Sequence, residues 1–281
     1  MRTALEGSYD FLTRWLMILK PLLFIPAVIW SLDHPQESFG MWMWALGINF
    51  MMIVVGLDIG LHRHDSHVAF KTTTLGRIFL LFWGLPTLVG SPLHWSVVHR
   101  KHHAECETDE DPHSPHQDKW WHVFLFLPPA YRFDVQANKK YFRGLIGDPI
   151  YRITHLYYYP IVALYVAVLW WVGWEWLLFC MLVPAAIVNV QFACLNVVCH
   201  MWGYKNYPLT RGGHVCEARN NWFIHLVTFF SFGMHNNHHW DPGNHRCSVK
   251  ESEFDFAAWI IETFFLTEVG EGATLGKERE W

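Results

Sequence analysis

Three short stretches concentrate imidazoles: "LHRHDSH" (61–67), "HRKHH" (99–103) and "SFGMHNNHHWDP" (231–242). On a helix, positions i, i+3 and i+4 share one face, which is the spacing of His99, His102 and His103 and again of His235, His238 and His239. Four residues separate His62 from His67, a poor fit to one α-helical face but a workable one where a helix ends. A fourth segment, "LNVVCH" (195–200), places Asn196 one turn before His200. Imidazole suits iron, zinc, copper and nickel, so ligand type alone does not choose the metal. Number narrows the choice, because a tetrahedral zinc takes four ligands and nine histidines exceed one ion's shell. The pattern predicts two metal ions, each with four or five nitrogens and room for a water or oxygen. Taken singly, any one box also reads as an incidental surface cluster or a simple zinc site. His64 lies off the box spacing and reads as a neighbour. His94, His113, His116, His122, His155, His214, His225 and His245 read as packing, interfacial or supporting groups.

These residues need elements to hold them, and the composition says which. The 281 residues are 52% hydrophobic and only 16% charged, with 17 Trp and 21 Phe, against about a quarter charged in an ordinary soluble domain. The reading is an all-α integral membrane protein, a single domain over 1–281 with no internal repeat. Four transmembrane helices in two hairpins are expected at 15–32 and 40–60, then at 158–174 and 175–198, with cytosolic segments 1–14, 61–157 and 199–281 forming a helical cap over a histidine-rich dimetal site. The apolar stretch 77–95, broken by Gly84, Pro86, Gly90 and Pro92, reads as interfacial or re-entrant. Of the 21 Lys and Arg, 11 fall between the hairpins and 7 after the last span, and none in the loops 33–39 and 172–176. The positive-inside rule therefore puts both termini and the middle segment in the cytoplasm, together with every histidine except His34. A net charge of −4 gives no reason to expect a nucleic-acid partner. The six cysteines show no paired spacing and read as reduced thiols, with neither a disulfide framework nor a thiolate metal site. Lys20 and Pro21 interrupt the first apolar run, so no removable leader is expected.

The order of "HRHDSH", "HRKHH" and "HNNHH", with "ETDEDPHSP" (107–115) after the second box and "NVVCHMWGY" (196–204) closing the last span, resembles the membrane-bound acyl-CoA and acyl-lipid desaturases. The match is to the Δ9, stearoyl-CoA-desaturase-like branch and covers roughly residues 15 to 265. The resemblance implies a four-helix stem under a cytosolic cap holding two iron ions (Fe2+), with O2 as co-substrate. It places the ligands on His62, His67, His99, His102, His103, His200, His235, His238 and His239, and a metal-bound water on Asn196. Trp95 matches a tryptophan at the bend of the family's acyl tunnel. The chain departs from the pattern at Val197 and Cys199, and at Phe192, where the acyl-CoA enzymes often carry a polar residue.

The resemblance implies the activity of a fatty acid desaturase, an oxidoreductase of lipid metabolism that introduces a cis double bond at Δ9 into a long-chain acyl-CoA or acyl-lipid. With no appended cytochrome domain, the electrons are expected from an external donor such as cytochrome b5 or ferredoxin. The active site would face the cytoplasm, at the inner membrane of a bacterium or the endoplasmic reticulum of a eukaryote. Phe192 and Trp95 are candidate tunnel residues. Arg63, Lys71 and Arg77 are candidate contacts for a CoA or lipid phosphate, or else anchors to anionic lipid. Two rival functions are a dimetal hydroxylase or ketolase of a lipid and a non-catalytic metal- or haem-binding membrane protein.

Overall fold

A computed structural model describes residues 12–127, 138–211 and 213–270; the outer parts of the expected terminal segments 1–14 and 199–281 lie outside the described residues. The chain is mostly helical. Helix α1 (Leu12–Asp33) and α2 (Pro35–Ser66) form the first hairpin, turning at His34. Helices α3 (Thr74–Thr87) and α4 (Pro92–Ala104) meet at a bend of 80°, and α5 (Pro149–Leu156) and α6 (Tyr158–Val172) at one of 65°. Helix α7 (Trp174–Met201) follows after Gly173. Short helices among the described residues after it include α8 (Trp222–Val227), α9 (His235–Trp240) and α10 (Phe256–Phe265). Among the described residues, α1, α2 and α7 are long and apolar enough to cross a bilayer, and each bent pair would add one crossing if it counts as a span. The α3–α4 bend falls in the stretch read as interfacial or re-entrant.

Two differences from the sequence reading bear on the site. The second helix does not stop at residue 60 but runs on to Ser66, and its second half, Met51–Ser66, is wound in wide π-type turns. The last of them is closed by the His67 amide donating to the His62 carbonyl at 3.1 Å. A chain wound i→i+5 brings residues five apart back towards one side, which an α-helix does not. The all-α expectation also gains two small antiparallel pairs. Phe70–Lys71 pairs with Glu268–Val269, tying the end of box one to the C-terminal segment, and Thr210–Arg211 pairs with His214–Val215.

Helices α2 and α3 cross in contact at Gly56, where an added Cβ would lie 2.3 Å from the carbonyl carbon of Trp83. Small residues let helices approach this closely where no water drives them together. Several polar groups inside the apolar elements find partners on other helices. Lys20 is buried within α1 and donates to the carbonyls of Thr87 and Leu88 at 3.0 and 3.1 Å, the very groups that the end of α3 leaves without helical partners. Asn49 of α2 and Gln191 of α7 exchange amide hydrogen bonds of 3.0 and 3.2 Å. Leu19, Leu22, Ile25, Ile29 and Leu32 of α1 face outward, as a bilayer-facing surface requires.

Candidate metal centre

Four elements bring the nine expected histidines together. The end of α2 supplies His62 and His67, α4 supplies His99, His102 and His103, the end of α7 supplies His200, and α9 supplies His235, His238 and His239. Each α4 and α9 box is one helical face, as its spacing predicted. Ser91 caps α4 by accepting from the His94 amide at 3.2 Å. The approach to α9 depends on Gly233, whose missing Cβ would collide with the backbone of His225 at 2.4 Å.

The nine sort into two buried groups, each with its ligand atoms within 4.8 Å of one another and able to hold a metal ion. One is His62, His67, His99, His103 and His238; the other is His102, His200, His235 and His239. The Nε2 atoms of His62 and His238 are 2.8 Å apart, as are those of His67 and His99. His103 stands 3.0 Å from both His99 and His238, and His200 3.1 Å from His235. His64 lies outside both groups and faces Asp65 at 2.7 Å.

The outer nitrogens explain why these contacts fit a metal. His62 Nδ1 faces Asp58 at 2.8 Å, His102 Nδ1 faces Asp111 at 2.9 Å, and His200 Nδ1 faces Glu107 at 2.7 Å. A carboxylate at Nδ1 fixes the proton there and turns the Nε2 lone pair inward. His62 and His200 therefore present lone pairs, not protons, to His238 and His235. Donors at about 2.1 Å from a common ion are separated by roughly 3.0 Å at a right angle and roughly 3.4 Å at the tetrahedral angle, so rings already 2.8 to 3.1 Å apart need only small shifts to share one. Asp111 and Glu107 lie outside the candidate spans. Burial raises their carboxyl pKa, but His102 and His113 around Asp111, and His200 with Ser114 around Glu107, outweigh it and hold both carboxyls ionised. For His235, His238 and His239 burial comes first and the neighbouring imidazoles second, and both push the pKa well down, keeping the rings in the neutral form that binds metals.

Asn196 is buried, its Nδ2 has no hydrogen-bond partner among the described residues, and it shares the wall of an internal space with His62, His102, His235, Phe192 and Phe232. Trp95 stacks on His99 with ring centroids 4.7 Å apart, and Phe192 lies 6.2 Å from Trp95. Both line a mainly apolar cleft that runs out past Met17 and Phe126 to Arg14. His99, His113 and Phe192 belong to the walls of both spaces, so the cleft leads to the histidines.

The structure corrects two sequence readings. Arg63 is not available to a head group: it is buried between Asp58 and Asp255, 2.9 Å from each, because two buried carboxylates need a cation more than the surface does. Nor are all the cysteines reduced, since Cys106 and Cys216, 110 residues apart, form a disulfide that no local spacing could announce. Of the other two basic candidates, Lys71 pairs with Glu268 at 3.0 Å and Arg77 with Asp148 at 2.6 Å, both beside a second cleft of mixed character. The supporting carboxylates were missed, although they left signals: Asp58 is one helical turn before His62, and Glu107 and Asp111 lie within "ETDEDPHSP".

The family model described as "Fatty acid desaturase" matches residues 39–265. The chain is 28% identical over 252 residues to the sn-2 palmitoyl-lipid 9-desaturase of Nostoc sp. (strain 36), covering 86% of each protein. It is 29% identical over 230 residues to the sn-1 stearoyl-lipid 9-desaturase of Anabaena variabilis, covering 80% of this chain and 81% of that one. The Acyl-CoA C20 Delta5-desaturase of Anemone leveillei is 30% identical over 211 residues, covering 74% of this chain and 66% of that one.

Proposed function

The chain belongs to the fatty acid desaturase family, and from that premise we propose that it places a cis double bond at Δ9 of a long-chain acyl group, carried by a lipid or by CoA. The proposal assigns two iron ions to the two histidine groups, with Asn196 holding a water at the metals and electrons arriving from a separate carrier protein at the cytoplasmic face. The observation that supports it is the convergence of nine buried histidines into two groups at the inner end of an apolar cleft. When bound, an iron pair with O2 supplies the oxidising power that removal of hydrogen from an unactivated methylene demands and that no side chain has.

The chain's own residues have three tasks in this reading. The cleft lined by Met17, Val89, Trp95, Phe126 and Phe192 holds the acyl chain, gaining about 0.8 kcal/mol per buried methylene. Trp95, stacked on His99, sets the direction in which the chain passes the metals. Asp58, Asp111 and Glu107 hold the Nδ1 protons of His62, His102 and His200, so that the ligand nitrogens stay turned inward. Relatives named as 9-desaturases of lipid-linked palmitoyl and stearoyl groups support the Δ9 and acyl-lipid version of the reading.

The test is a fatty-acid profile, with double bonds located by mass spectrometry, from a host without its own desaturase that co-expresses an electron donor. A new Δ9 acid that disappears with His238→Ala is the expected result. A hydroxylated acid would replace this reading with the oxygenase alternative, and a double bond elsewhere would overturn the Δ9 assignment alone.

A further inference from the structure

Among the nine histidines, three face a carboxylate through Nδ1; His239 faces sulfur. The Sγ of Cys216 lies 3.5 Å from His239 Nδ1, leaving the ring's other nitrogen for the group it forms with His102, His200 and His235. Cys216 is held there by its disulfide to Cys106, which comes from the turn after α4. Cys106 immediately precedes Glu107, a residue in the left-handed region at φ 62° that accepts from His200 Nδ1 and from Ser114. Cys106 also lies within 4.8 Å of ligand atoms of both Glu107 and His200. The crosslink thus faces the outer nitrogen of His239 and lies within 4.8 Å of a ring nitrogen of His200, and both histidines belong to the four-histidine group. It also ties the turn carrying Glu107 and Asp111 to the segment behind His239.

We infer that the Cys106–Cys216 crosslink seats the metal ion of the four-histidine group, with Cys216 as a positioning residue for His239, so that opening it loosens that ion and leaves the other in place. The inference rests on reading the histidine groups as metal sites. A disulfide sulfur is a weak acceptor, but a fixed one; a free cysteine side chain can rotate away from His239 Nδ1. Opening takes two electrons and two protons from a dithiol, which itself becomes a disulfide, and yields two thiols here. Partners of a ligand's outer nitrogen are worth roughly 10- to 100-fold in metal affinity. Such a crosslink therefore makes iron content at one of the two groups depend on thiol redox conditions.

The experiment uses the full chain loaded with Fe(II) in detergent and follows iron per chain during dialysis against a chelator. Four forms are compared: untreated, dithiol-treated, Cys106→Ser/Cys216→Ser, and Cys106→Ser/Cys216→Asp. Alkylation and mass spectrometry report whether the crosslink is open. With it open, one ion should leave roughly 10- to 100-fold sooner than in the untreated protein, while the second leaves at the unchanged rate. The Cys216→Asp form, with a carboxylate opposite His239 Nδ1, should slow the loss again. Equal rates in the open and closed forms would overturn the inference, as would equal acceleration of both ions without rescue by Asp, which is the mark of general loosening. Absence of the crosslink in untreated protein would end it too. Untreated protein that is crosslinked yet holds no iron would instead defeat the metal reading on which the inference stands.

Discussion

Replacing Arg63 by methionine separates a buried structural cation from a surface one. Arg63 donates through Nε and Nη2 to Asp58 at 3.1 and 2.9 Å, through Nη1 to Asp255 at 2.9 Å, and through Nη1 to the His245 carbonyl at 2.6 Å. Both carboxylate side chains are 0% exposed. Removing the guanidinium leaves two buried carboxylates without their shared cation, and breaking a buried pair in this way costs about 3–5 kcal/mol. At about 2–4 °C per kcal/mol for a chain of this order of size, the apparent Tm in detergent should fall by roughly 6–20 °C. Asp58 also holds His62 Nδ1 at 2.8 Å, so iron retention should weaken at the five-histidine group. An uncharged control, Asp58→Asn/Arg63→Met/Asp255→Asn, should recover part of the lost thermal stability, because it removes the uncompensated buried charges that make a half-broken ionic cluster costly. Its iron retention should stay low, since the Asp58→Asn change leaves a neutral amide opposite His62 in place of an anion. The reasoning is refuted if Arg63→Met melts with the parent and changes only the KM for acyl substrate, the behaviour of a head-group contact.

Two other perturbations probe the cleft and the support of box three. Phe192→Trp should narrow the passage shared by the cleft and the metal space, shortening the accepted acyl chain; each methylene kept out costs about 0.8 kcal/mol, roughly fourfold in kcat/KM, and an unchanged length profile would argue that the acyl chain runs elsewhere. Glu253 supports box three by accepting from Asn237 Nδ2 at 2.9 Å. Burial raises its carboxyl, but the Val249 amide, Asn206, the Tyr204 hydroxyl and the Lys250 amide donate to it and hold the pKa below the ordinary range. A folded-state pKa below the unfolded value means this support is present above about pH 4.3 and is lost as pH falls through the folded value. Glu253→Gln should therefore flatten the acid side of a thermal-stability profile, and parallel profiles would show that Glu253 is not the titrating group.

Much of the candidate site was legible in the chain. The i, i+3, i+4 spacing of His99, His102 and His103 and of His235, His238 and His239 is a local property, decided by helical geometry alone, and both boxes stand on helices as that spacing requires. The apolar runs that became α1, α2 and α7 are local in the same sense, since bilayer thickness sets the length a span must have. What the chain alone left open was which rings fall into the same group. His99 and His103, four apart, turn to the five-histidine group, while His102 between them turns to His200 and His239. That division depends on where α7 and α9 come to rest against α4. His67 joins His62, with rings 5.0 Å apart, because α2 ends in π-type turns, and the choice between π and α winding is made by packing and not by local preference. Arg63 looked like a surface cation until Asp255, 192 residues along the chain, came beside it. Cys106 and Cys216 looked unpaired until folding brought them together across 110 residues. Helical faces and membrane spans are written in neighbouring residues, whereas ion pairs, crosslinks and the division of the histidines between two groups are decided only when distant segments meet.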